Sequence, residues 1–448
     1  MEKREKTLFI TSFYGFLGRN ILGSGLLEIL LSNPNLRVVV FLPNKKTESY
    51  RKFFPHPQII FEGIDHNRNP GKLEKRFSYL FGFLSDVYYW RMERASLWRR
   101  GFRWHAAIFW LVSKLGHLKI VRRLVRHLDY ILMPKNYYRK YFEKYSPDLV
   151  FTTDIFRSQD IYLMREARFR KVPILGMIRS WDNVTGKGLN QIIPDEVVAH
   201  NPVIKEEAIK YDDMKSEHIH LIGVPHYDRY VTERRSSRAE LFKKLNLDPN
   251  KKMVLISPPI WTYTHDPLAP FLVKALEPLD VQVVVRLHMM SKSNMADLRP
   301  IPNKLAINAP DQITDVVNAD ITTQDDFFAD LLYHSDVVVS HASTLGIDAA
   351  VFDKPAIYIG FDVKPKPYYA SLRWLHDTEF LKRLRQTGGI RLAENVDQFL
   401  EYVKKYLADP KLDREGRQNI VRDYCWKLDA QSSQRLADVI LSMLNLSS

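Results

Sequence analysis

The chain has 448 residues, of which 45% are hydrophobic and 26% are charged. This balance excludes wholesale disorder, and the length predicts two domains rather than one. The single cysteine, Cys425, excludes an intramolecular disulfide and a cysteine-based metal site, and it favours a reducing compartment. The formal net charge of +14 is unevenly distributed along the chain.

The first 70 residues alternate between strand and helix patterns. Apolar, β-branched runs predict strands at 7–12, 36–43 and 58–64, and an amphipathic segment predicts a helix at 20–31. The alternation indicates a parallel, doubly wound sheet. The basic start MEKREK precedes an apolar stretch, as in a signal peptide, but polar residues interrupt that stretch and favour strand, turn and helix. No run of 18 apolar residues occurs, so we expect a cytoplasmic protein without a spanning helix.

Residues 71–145 interrupt the alternation with long helical patterns such as 97–115. This segment has 17 Lys and Arg against 5 Asp and Glu, a net charge of +12, and 18 aromatic residues. Such a composition suits an anionic membrane surface, so we expect a helical insertion that docks on the inner face of the membrane. A helical insertion with a solvated basic face remains an alternative, and nucleic acid is an unlikely partner.

The strand patterns then return in two series. The first series covers 147–154, 172–180, 196–201 and 218–224, and the second covers 251–259, 281–290, 305–310, 336–340 and 355–361. We therefore expect an amino-terminal domain at 1–228, a linker at 229–250 and a carboxyl-terminal domain at 251–448. The predicted fold class is α/β, with two Rossmann-like doubly wound domains facing a cleft. In such sheets ligands bind beyond the carboxyl ends of the strands.

Polar residues follow three strands of the second series, and those of the first strand end lie at 258–265. Arg286 and His288 come at the end of one strand, and His341, Ser343 and Thr344 follow another. The amides at the start of a helix and these hydroxyl, Arg and His groups fit an anion such as a diphosphate. Simple helix capping is the alternative for the two hydroxyls. The agreement of several strand ends favours an anion site.

The same residues resemble a known family. The segments Pro258-Pro259-Ile260-Trp261, Arg286-Leu287-His288-Met289 and 341–355, with Asp348 and Lys354-Pro355, resemble the carboxyl-terminal domain of GT-B glycosyltransferases. The closest group is that of the CDP-glycerol glycerophosphotransferases, and the likeness covers roughly 250–362. The resemblance implies donor binding by Trp261, Arg286, His288, His341, Ser343 and Thr344, without a metal cofactor. Met289 replaces a proline of that group and His341 an aspartate, so a sugar donor is expected before CDP-glycerol.

The acceptor hydroxyl needs a base, which in this fold comes from the first domain. Asp154 and Asp182 each follow a strand there and are the candidates, with His288 as a further catalytic residue. An ordinary turn is the alternative for Asp182. We expect Trp181 to be exposed and to stack on a sugar. We expect His226 to act as a hinge or donor contact. The first turn is expected to face the acceptor through Gly15, Gly18, Arg19 and Asn20.

The predicted function is a glycosyltransferase that moves a sugar from a nucleotide-activated donor to a surface-polysaccharide or lipid-linked acceptor. Three alternatives stay open: a CDP-glycerol-type polyol-phosphate transferase, a UDP-GlcNAc 2-epimerase-like enzyme and an NAD(P)-dependent short-chain dehydrogenase. The dehydrogenase alternative depends on the turn TSFYGFLGRN and on the pair Tyr211 and Lys215. No bound cofactor is expected, because the activated nucleotide is itself a substrate.

Overall fold

The computed structural model describes residues 4–14, 17–65, 70–258, 268–287, 298–308 and 324–446. The chain forms two compact units. The first unit contains Met1–Val231 together with Trp426–Ser448, and the second contains the described residues from Thr232 to Cys425. Each unit is built on a parallel sheet with helices. The predicted α/β class with two doubly wound domains is confirmed.

The first sheet has seven parallel strands in the order β3-β2-β1-β4-β5-β6-β7. Its strands are β1 (Lys6–Thr11), β2 (Leu36–Pro43), β3 (Ile59–Ile64), β4 (Leu149–Thr152), β5 (Ile174–Ile178), β6 (Glu196–Ala199) and β7 (Ile219–Leu221). Strands β4 and β5 are buried along their whole length, and β1 and β2 are buried at all but one residue each, as the apolar runs predict.

The second sheet has six parallel strands in the order β10-β9-β8-β11-β12-β13. Its strands are β8 (Lys252–Ser257), β9 (Val281–Arg286), β10 (Leu305–Asn308), β11 (Val337–Ser340), β12 (Ala356–Ile359) and β13 (Ile390–Ala393). Valine and isoleucine side chains of these strands pack with the helix residues Leu272, Phe399 and Val403 to form the core of this unit.

The helices cover the sheets and form the insertion. In chain order they are α1 (Leu17–Asn20), α2 (Leu26–Leu31), α3 (Thr47–Phe53), α4 (Lys72–Leu84), α5 (Tyr88–Arg99), α6 (Arg103–Leu115), α7 (Lys119–Leu132), α8 (Arg139–Tyr145), α9 (Ser158–Phe169), α10 (Asn183–Gly186), α11 (Pro202–Asp212), α12 (Tyr227–Thr232), α13 (Arg238–Leu245), α14 (Leu268–Leu276), α15 (Gln324–His334), α16 (Leu345–Val351), α17 (Glu379–Gln386), α18 (Val396–Ala408), α19 (Arg414–Ile420) and α20 (Ser432–Met443). Within the described ranges, no helix has both the length and the apolarity needed to cross a bilayer.

The insertion at 71–145 is helical, as expected, and comprises α4 to α8. The segment 97–115 is not one helix, because Gly101 adopts a left-handed conformation with φ of 87° between α5 and α6. A small buried cluster of Phe81, Leu84 and Leu189 joins the insertion to the first sheet's loops. Valines on the inner faces of α6 and α7 pack against this cluster.

The domain boundaries differ from the expected ones at two places. The expected linker at 229–250 contains α13, whose Leu241 and Phe242 are buried in the second unit. The expected second domain 251–448 ends earlier, because α20 belongs to the first unit. Its apolar face, with Leu436 and Ile440, packs in the same cluster as Leu26 and other residues of α2. The amphipathic pattern of α20 predicts a helix but does not reveal which core the helix joins.

Candidate active site

Four neighbouring strands of the first sheet end beside a group of polar residues. Strands β1, β4, β5 and β6 are adjacent and parallel, so the residues that follow them lie at one edge of the sheet. The carboxylates Asp154 and Asp182 follow β4 and β5, as predicted. Arg179 follows β5 directly and His200 follows β6, and neither was singled out from the sequence.

Asp154 is a buried carboxylate whose oxygen atoms are already engaged. Arg179 Nε lies 3.0 Å from Asp154 Oδ2, and the backbone N–H of Phe156 donates to Oδ1 at 3.2 Å. Asn183 Nδ2 lies 3.4 Å from Oδ1, and Arg157 Nε lies 3.7 Å from Oδ2. These partners hold Asp154 as a fixed negative charge that orients Arg179 rather than as an accessible carboxylate.

Asp182 is exposed and accessible at the same edge. Ser180 Oγ donates a hydrogen bond of 2.5 Å to Asp182 Oδ1, which orients the carboxylate. The expectation that Trp181 is exposed is wrong, because its side chain is only 7% exposed. Its ring packs against His200 at 5.5 Å and against Tyr227 at 6.2 Å. Burying the indole here fixes the backbone that presents Asp182.

A second buried carboxylate, Asp160 in the first turn of α9, lies beneath this edge. Thr11 Oγ1 donates a 2.5 Å hydrogen bond to Asp160 Oδ1, and the N–H of Thr153 donates to Thr11 Oγ1 at 2.9 Å. Burial, reinforced by the negative charge of Asp154, raises the pKa of Asp160 to about 8. Asp160 is therefore protonated at neutral pH, whereas Asp154 is paired with arginine.

His200 is buried, with 4% of its surface exposed, and neither ring nitrogen has a hydrogen-bond partner among the described residues. Burial and the nearby positive charge of Arg179 lower the pKa of His200 to about 3, so its ring is neutral. The only sequence signal for this residue is its position directly after the apolar strand β6.

The remaining candidates of the first unit that the structure describes lie in α1 or directly before α12. A Cβ atom on Gly18 would lie 2.1 Å from Tyr50 Oη, so this glycine allows Tyr50 to pack against α1. Asn20 is partly buried at the end of α1, while only the backbone of Arg19 is described and Gly15 lies outside the described residues. The His226 ring lies 4.3 Å from the ring of Tyr227, close to the end of the first unit.

At the carboxyl edge of the second sheet, the turn 340–344 connects β11 to α16. The N–H of Leu345 donates to Ser343 Oγ at 3.1 Å, and Ser343 Oγ lies 3.0 Å from Ser340 Oγ. Thr344 is the N-cap residue, but its side chain makes no capping hydrogen bond. Ser343 therefore stabilises the turn, and the Thr344 hydroxyl is not used in capping.

Two histidines and a tyrosine support this turn from below. His341 is 3% exposed, and its Nδ1 accepts the N–H of Ala342 at 2.6 Å, so the proton of the neutral ring is on Nε2. Burial and the neighbouring His376 lower the pKa of His341 to about 3. The His376 ring lies 5.0 Å away and its Nε2 donates to Ile359 O at 3.1 Å. The Tyr358 hydroxyl donates to Ser343 O.

Arg286 is at the end of β9, where it is 8% exposed. Its Nη1 donates to Asn308 Oδ1 on the neighbouring strand, and its guanidinium lies 5.4 Å from the centre of the Phe328 ring. Strand β8 separates β9 from β11 in the sheet, so Arg286 and the turn 340–344 are about 10 Å apart along this edge. The predicted residues Trp261 and His288 lie outside the described residues.

The structure does not support the second motif of the dehydrogenase alternative, the pair Tyr211 and Lys215. Tyr211 is in the last turn of α11, which ends at Asp212. Asp213 then adopts a left-handed conformation with φ of 60°, and Lys215 follows in the loop. The two side chains therefore do not share one helix face, as a tyrosine–lysine catalytic pair on a single helix would.

The two units, each built on a parallel sheet, have the GT-B fold. Residues 193–442 match the family CDP-Glycerol:Poly(glycerophosphate) glycerophosphotransferase, and the chain belongs to this family. It is therefore a transferase that uses a nucleotide-activated donor, as the sequence predicts. A comparison with curated proteins found no match.

Solved structures of GT-B proteins resemble the chain over its whole length. A putative UDP-N-acetylglucosamine 2-epimerase from Listeria monocytogenes has a TM-score of 0.59 at 12% identity, covering 100% of this chain and 98% of its own. UDP-GlcNAc 2-epimerase from Neisseria meningitidis, bound to UDP-GlcNAc, has a TM-score of 0.56 at 12% identity, covering 98% and 100%. The wall teichoic acid polymerase TagF, soaked with CDPG, has a TM-score of 0.51 at 13% identity, covering 99% and 89%. At these identities the likenesses establish the fold alone.

Proposed function

We propose that the protein transfers glycerol phosphate, or a related polyol phosphate, from a cytidine diphosphate donor to a cell-surface polymer or its lipid-linked precursor. The family match over residues 193–442 carries this proposal, because it spans the whole second sheet and the turn 340–344. It supports a polyol-phosphate donor, whereas the sequence favoured a sugar donor. The epimerase alternative is supported only by likeness of fold.

The turn 340–344 is the proposed diphosphate site. The Thr344 hydroxyl is not used in capping, and the His341 ring has its proton on Nε2, which is a donor for phosphate oxygens in this proposal. Donors held in place before the reaction stabilise the charge that develops on the leaving phosphate. In this proposal protein donors and Arg286 supply the stabilisation, and no divalent metal is required.

Asp182 is the proposed base for the acceptor hydroxyl, since it is the accessible carboxylate at the edge of the first sheet. The hydroxyl oxygen attacks the phosphorus that carries the polyol, the bond from that phosphorus to the nucleotide breaks, and the hydroxyl proton passes to Asp182. The released product is then cytidine monophosphate. Transfer of a sugar would instead release a nucleoside diphosphate.

The leaving nucleotide therefore tests the proposal. The purified protein is incubated with CDP-glycerol, and separately with UDP- and GDP-sugars, in the presence of membrane-derived acceptor. Chromatography of the nucleotides should show CMP from CDP-glycerol and no UDP or GDP above the level of a protein-free control. Release of UDP or GDP with retention of CDP-glycerol would replace the proposal with sugar transfer. Interconversion of UDP-sugars without net release would indicate an epimerase.

The protein is further proposed to work on the inner face of the membrane. Valines of α6 and α7 pack on the buried cluster of Phe81, Leu84 and Leu189, while an apolar stripe on each of the two helices is exposed. These exposed residues, here called the docking face, are Trp104, Ile108, Leu111 and Leu115 on α6 and Ile120, Leu124, Leu128 and Ile131 on α7. They recur every three or four residues, which is the spacing of one helix face.

Charge supports an anionic membrane as the occupant of the docking face. Residues 94–128 contain nine Lys and Arg and no Asp or Glu. Each such cation near an anionic bilayer contributes about 1 kcal/mol, and the exposed indoles of Trp104 and Trp110 suit the headgroup region. Exposed apolar helices rich in Arg and Trp are typical of proteins that lie on a membrane.

Sedimentation with vesicles of equal parts phosphatidylglycerol and phosphatidylcholine tests docking. The combined variant Trp104→Ser, Ile108→Ser, Leu111→Ser should lose most of its pelleting. The matched control replaces three exposed apolar residues outside the docking face, Phe169→Ser, Ile209→Ser and Val231→Ser, and should pellet like the unmodified protein. Equal pelleting of both variants would rule out the docking face as the membrane contact.

A further inference from the structure

The first unit contains a cavity of about 570 Å³ that the transferase proposal does not use. Its lining includes Glu196 and Ile219, the first residues of β6 and β7, and the loops that precede these strands. Because the strands are parallel, the cavity lies at the amino edge of the sheet, opposite the edge that carries Asp182. We call it the amino-edge cavity. It is a separate site from the candidate active site.

Helix α7 forms one wall of the amino-edge cavity, and Arg126 fixes it in place. Arg126 Nη1 lies 3.0 Å from Asp213 Oδ2, and its Nε donates to Asn190 O at 2.9 Å. Arg122 Nη2 also reaches Asp213, at 3.3 Å from Oδ1. Asp213 is thereby compensated by two cations, and the wall keeps its shape without a ligand.

The other carboxylates of the cavity are also paired. Asp195 accepts from Arg168 Nη1 at 3.0 Å. Glu196 is bonded to two histidines, and its Oε1 lies 2.9 Å from His218 Nδ1. Burial by itself raises the pKa of Glu196, but the hydrogen bonds from the two histidines outweigh this effect, so the pKa is lowered. Asp195 and Asp213 are therefore each paired with arginine, and both oxygen atoms of Glu196 are engaged by histidine rings.

Two cations of the lining are uncommitted. Arg123 and Lys215 line the cavity and are exposed, and neither makes an ion pair or side-chain hydrogen bond among the described residues. Their charges are therefore available to a ligand. Both side chains are hydrogen-bond donors that suit a phosphate group, and hydrogen bonds between ionised partners are about twice as strong as neutral ones.

The cavity adjoins the docking face through α7. Arg123 lines the cavity, while Ile120 and Leu124, three residues before and one after it, are 70% and 55% exposed. A ligand with its phosphate on Arg123 and Lys215 could thus lay an apolar part along the stripe of α7. Free phosphate would use the cations but not the stripe, and only an amphipathic anion would use both.

We infer that the amino-edge cavity binds the phosphodiester head group of an anionic phospholipid of the bilayer. This inference rests on the proposed docking of α6 and α7 on the membrane. The lipid holds the protein in one orientation on the bilayer, with its acyl chains beside Ile120 and Leu124. The cavity thus adds selectivity for a lipid head group to the general attraction of a basic surface for a negative one.

The first test compares two variants that each lose one arginine and one lysine. Arg123→Gln with Lys215→Gln removes the uncommitted cations of the cavity. Arg100→Gln with Lys210→Gln removes two cations that interact with aromatic rings elsewhere. On vesicles of equal parts phosphatidylglycerol and phosphatidylcholine, the cavity variant should bind about tenfold more weakly than the control variant. Equal losses would overturn the inference, because they would show only general electrostatic attraction.

The second test uses soluble probes and does not depend on docking. Dihexanoyl-phosphatidylglycerol, kept below its micelle concentration, should raise the unfolding temperature of the unmodified protein and of the control variant but not of the cavity variant. Inorganic phosphate at the same concentration should raise none of them. Equal stabilisation by phosphate would overturn the assignment to a lipid. CMP release from CDP-glycerol is measured separately, so failure of the lipid site and failure of the transferase proposal give different results.

Discussion

Arg179 Nε lies 3.0 Å from Asp154 Oδ2, and this pair connects the ends of the adjacent strands β4 and β5. Asp154 is fully buried, so removal of its main cation leaves a buried charge. Arg179→Gln should lower the free energy of unfolding by about 2–3 kcal/mol in urea titrations at neutral pH, less than for an isolated buried pair because Arg157 remains at 3.7 Å.

A second substitution separates loss of charge compensation from loss of packing. Adding Asp154→Asn to Arg179→Gln removes the uncompensated charge and should restore part of the lost stability. If the double variant is less stable than the unmodified protein by the sum of the losses of the two single variants, the two side chains do not interact.

Asp182→Asn tests the proposed base. An amide cannot take the acceptor proton, so the rate of CMP release should fall by about 100-fold or more, while the affinity for CDP measured by calorimetry stays within about twofold. Ser180→Ala is the companion variant, because it removes the 2.5 Å hydrogen bond to Asp182 Oδ1 but keeps the carboxylate. It should keep most of the activity, because the proposed base is still present. Wild-type turnover by Asp182→Asn would exclude this aspartate as the base.

Most strands of the two sheets could be predicted, because buried parallel strands are continuous apolar runs rich in β-branched residues. A short edge strand and a helix interrupted by glycine could not be predicted in this way. Strand β13 has only four residues, Ile390–Ala393, at the edge of its sheet, and no strand was predicted there. The helix predicted at 20–31 is interrupted because Gly25 has a φ of 97°, a conformation that an apolar pattern does not reveal.

In the candidate active site, positions after strands could be predicted, but contacts between residues of different strands could not. The rule that ligands bind after parallel strands identifies Asp154 and Asp182. The rule does not predict that Arg179 pairs with Asp154, because that pairing depends on which strands are neighbours in the sheet. It also does not predict that Asp182 stays exposed. The expectation that Trp181 is exposed failed because the indole packs against His200. His200 follows a different strand, β6, and the sequence does not show that the two residues are neighbours.

The turn 340–344 predicts different effects for its two hydroxyl residues. Ser343→Ala removes the acceptor for the N–H of Leu345 and should lower the free energy of unfolding by about 1 kcal/mol. Thr344→Ala removes no capping bond and should change it by less than about 0.5 kcal/mol, yet weaken CDP binding by about fivefold or more. Urea titration and calorimetry give the two values. Unchanged CDP affinity in Thr344→Ala would remove this hydroxyl from the proposed diphosphate site.

Gly116 controls how closely α6 approaches α4. A Cβ atom at this position would lie 2.0 Å from the carbonyl oxygen of Leu84, so Gly116→Ala must displace backbone. We expect a loss of about 1–3 kcal/mol in the free energy of unfolding. Gly186→Ala is the matched control, because its Cβ would meet no atom within 4 Å, and it should be nearly neutral. A neutral Gly116→Ala would show that the insertion packs more loosely than the structure indicates.

His200 makes stability depend on pH in a direction that its buried position determines. Its pKa is lowered to about 3 in the folded protein, so between pH 6.5 and 3 the unfolded chain binds a proton that the folded chain does not. The contribution of His200 to the free energy of unfolding is therefore complete above pH 6.5. Below that pH it is lost by about 1.4 kcal/mol per pH unit. Asp160, with a pKa raised to about 8, acts in the opposite direction and stabilises at low pH, so the slope for the whole protein does not isolate His200.

The difference between the protein and the variant His200→Gln isolates it, because Asp160 titrates in both. The free-energy difference between them, measured by urea unfolding at several pH values, should be constant above pH 7. Below pH 6 it should shift in favour of the variant by about 1.4 kcal/mol per pH unit. A constant difference down to pH 5 would mean that His200 takes up its proton in the folded state. The ring would then have a partner, such as an ordered water, and would not be the unpaired imidazole found beside Trp181.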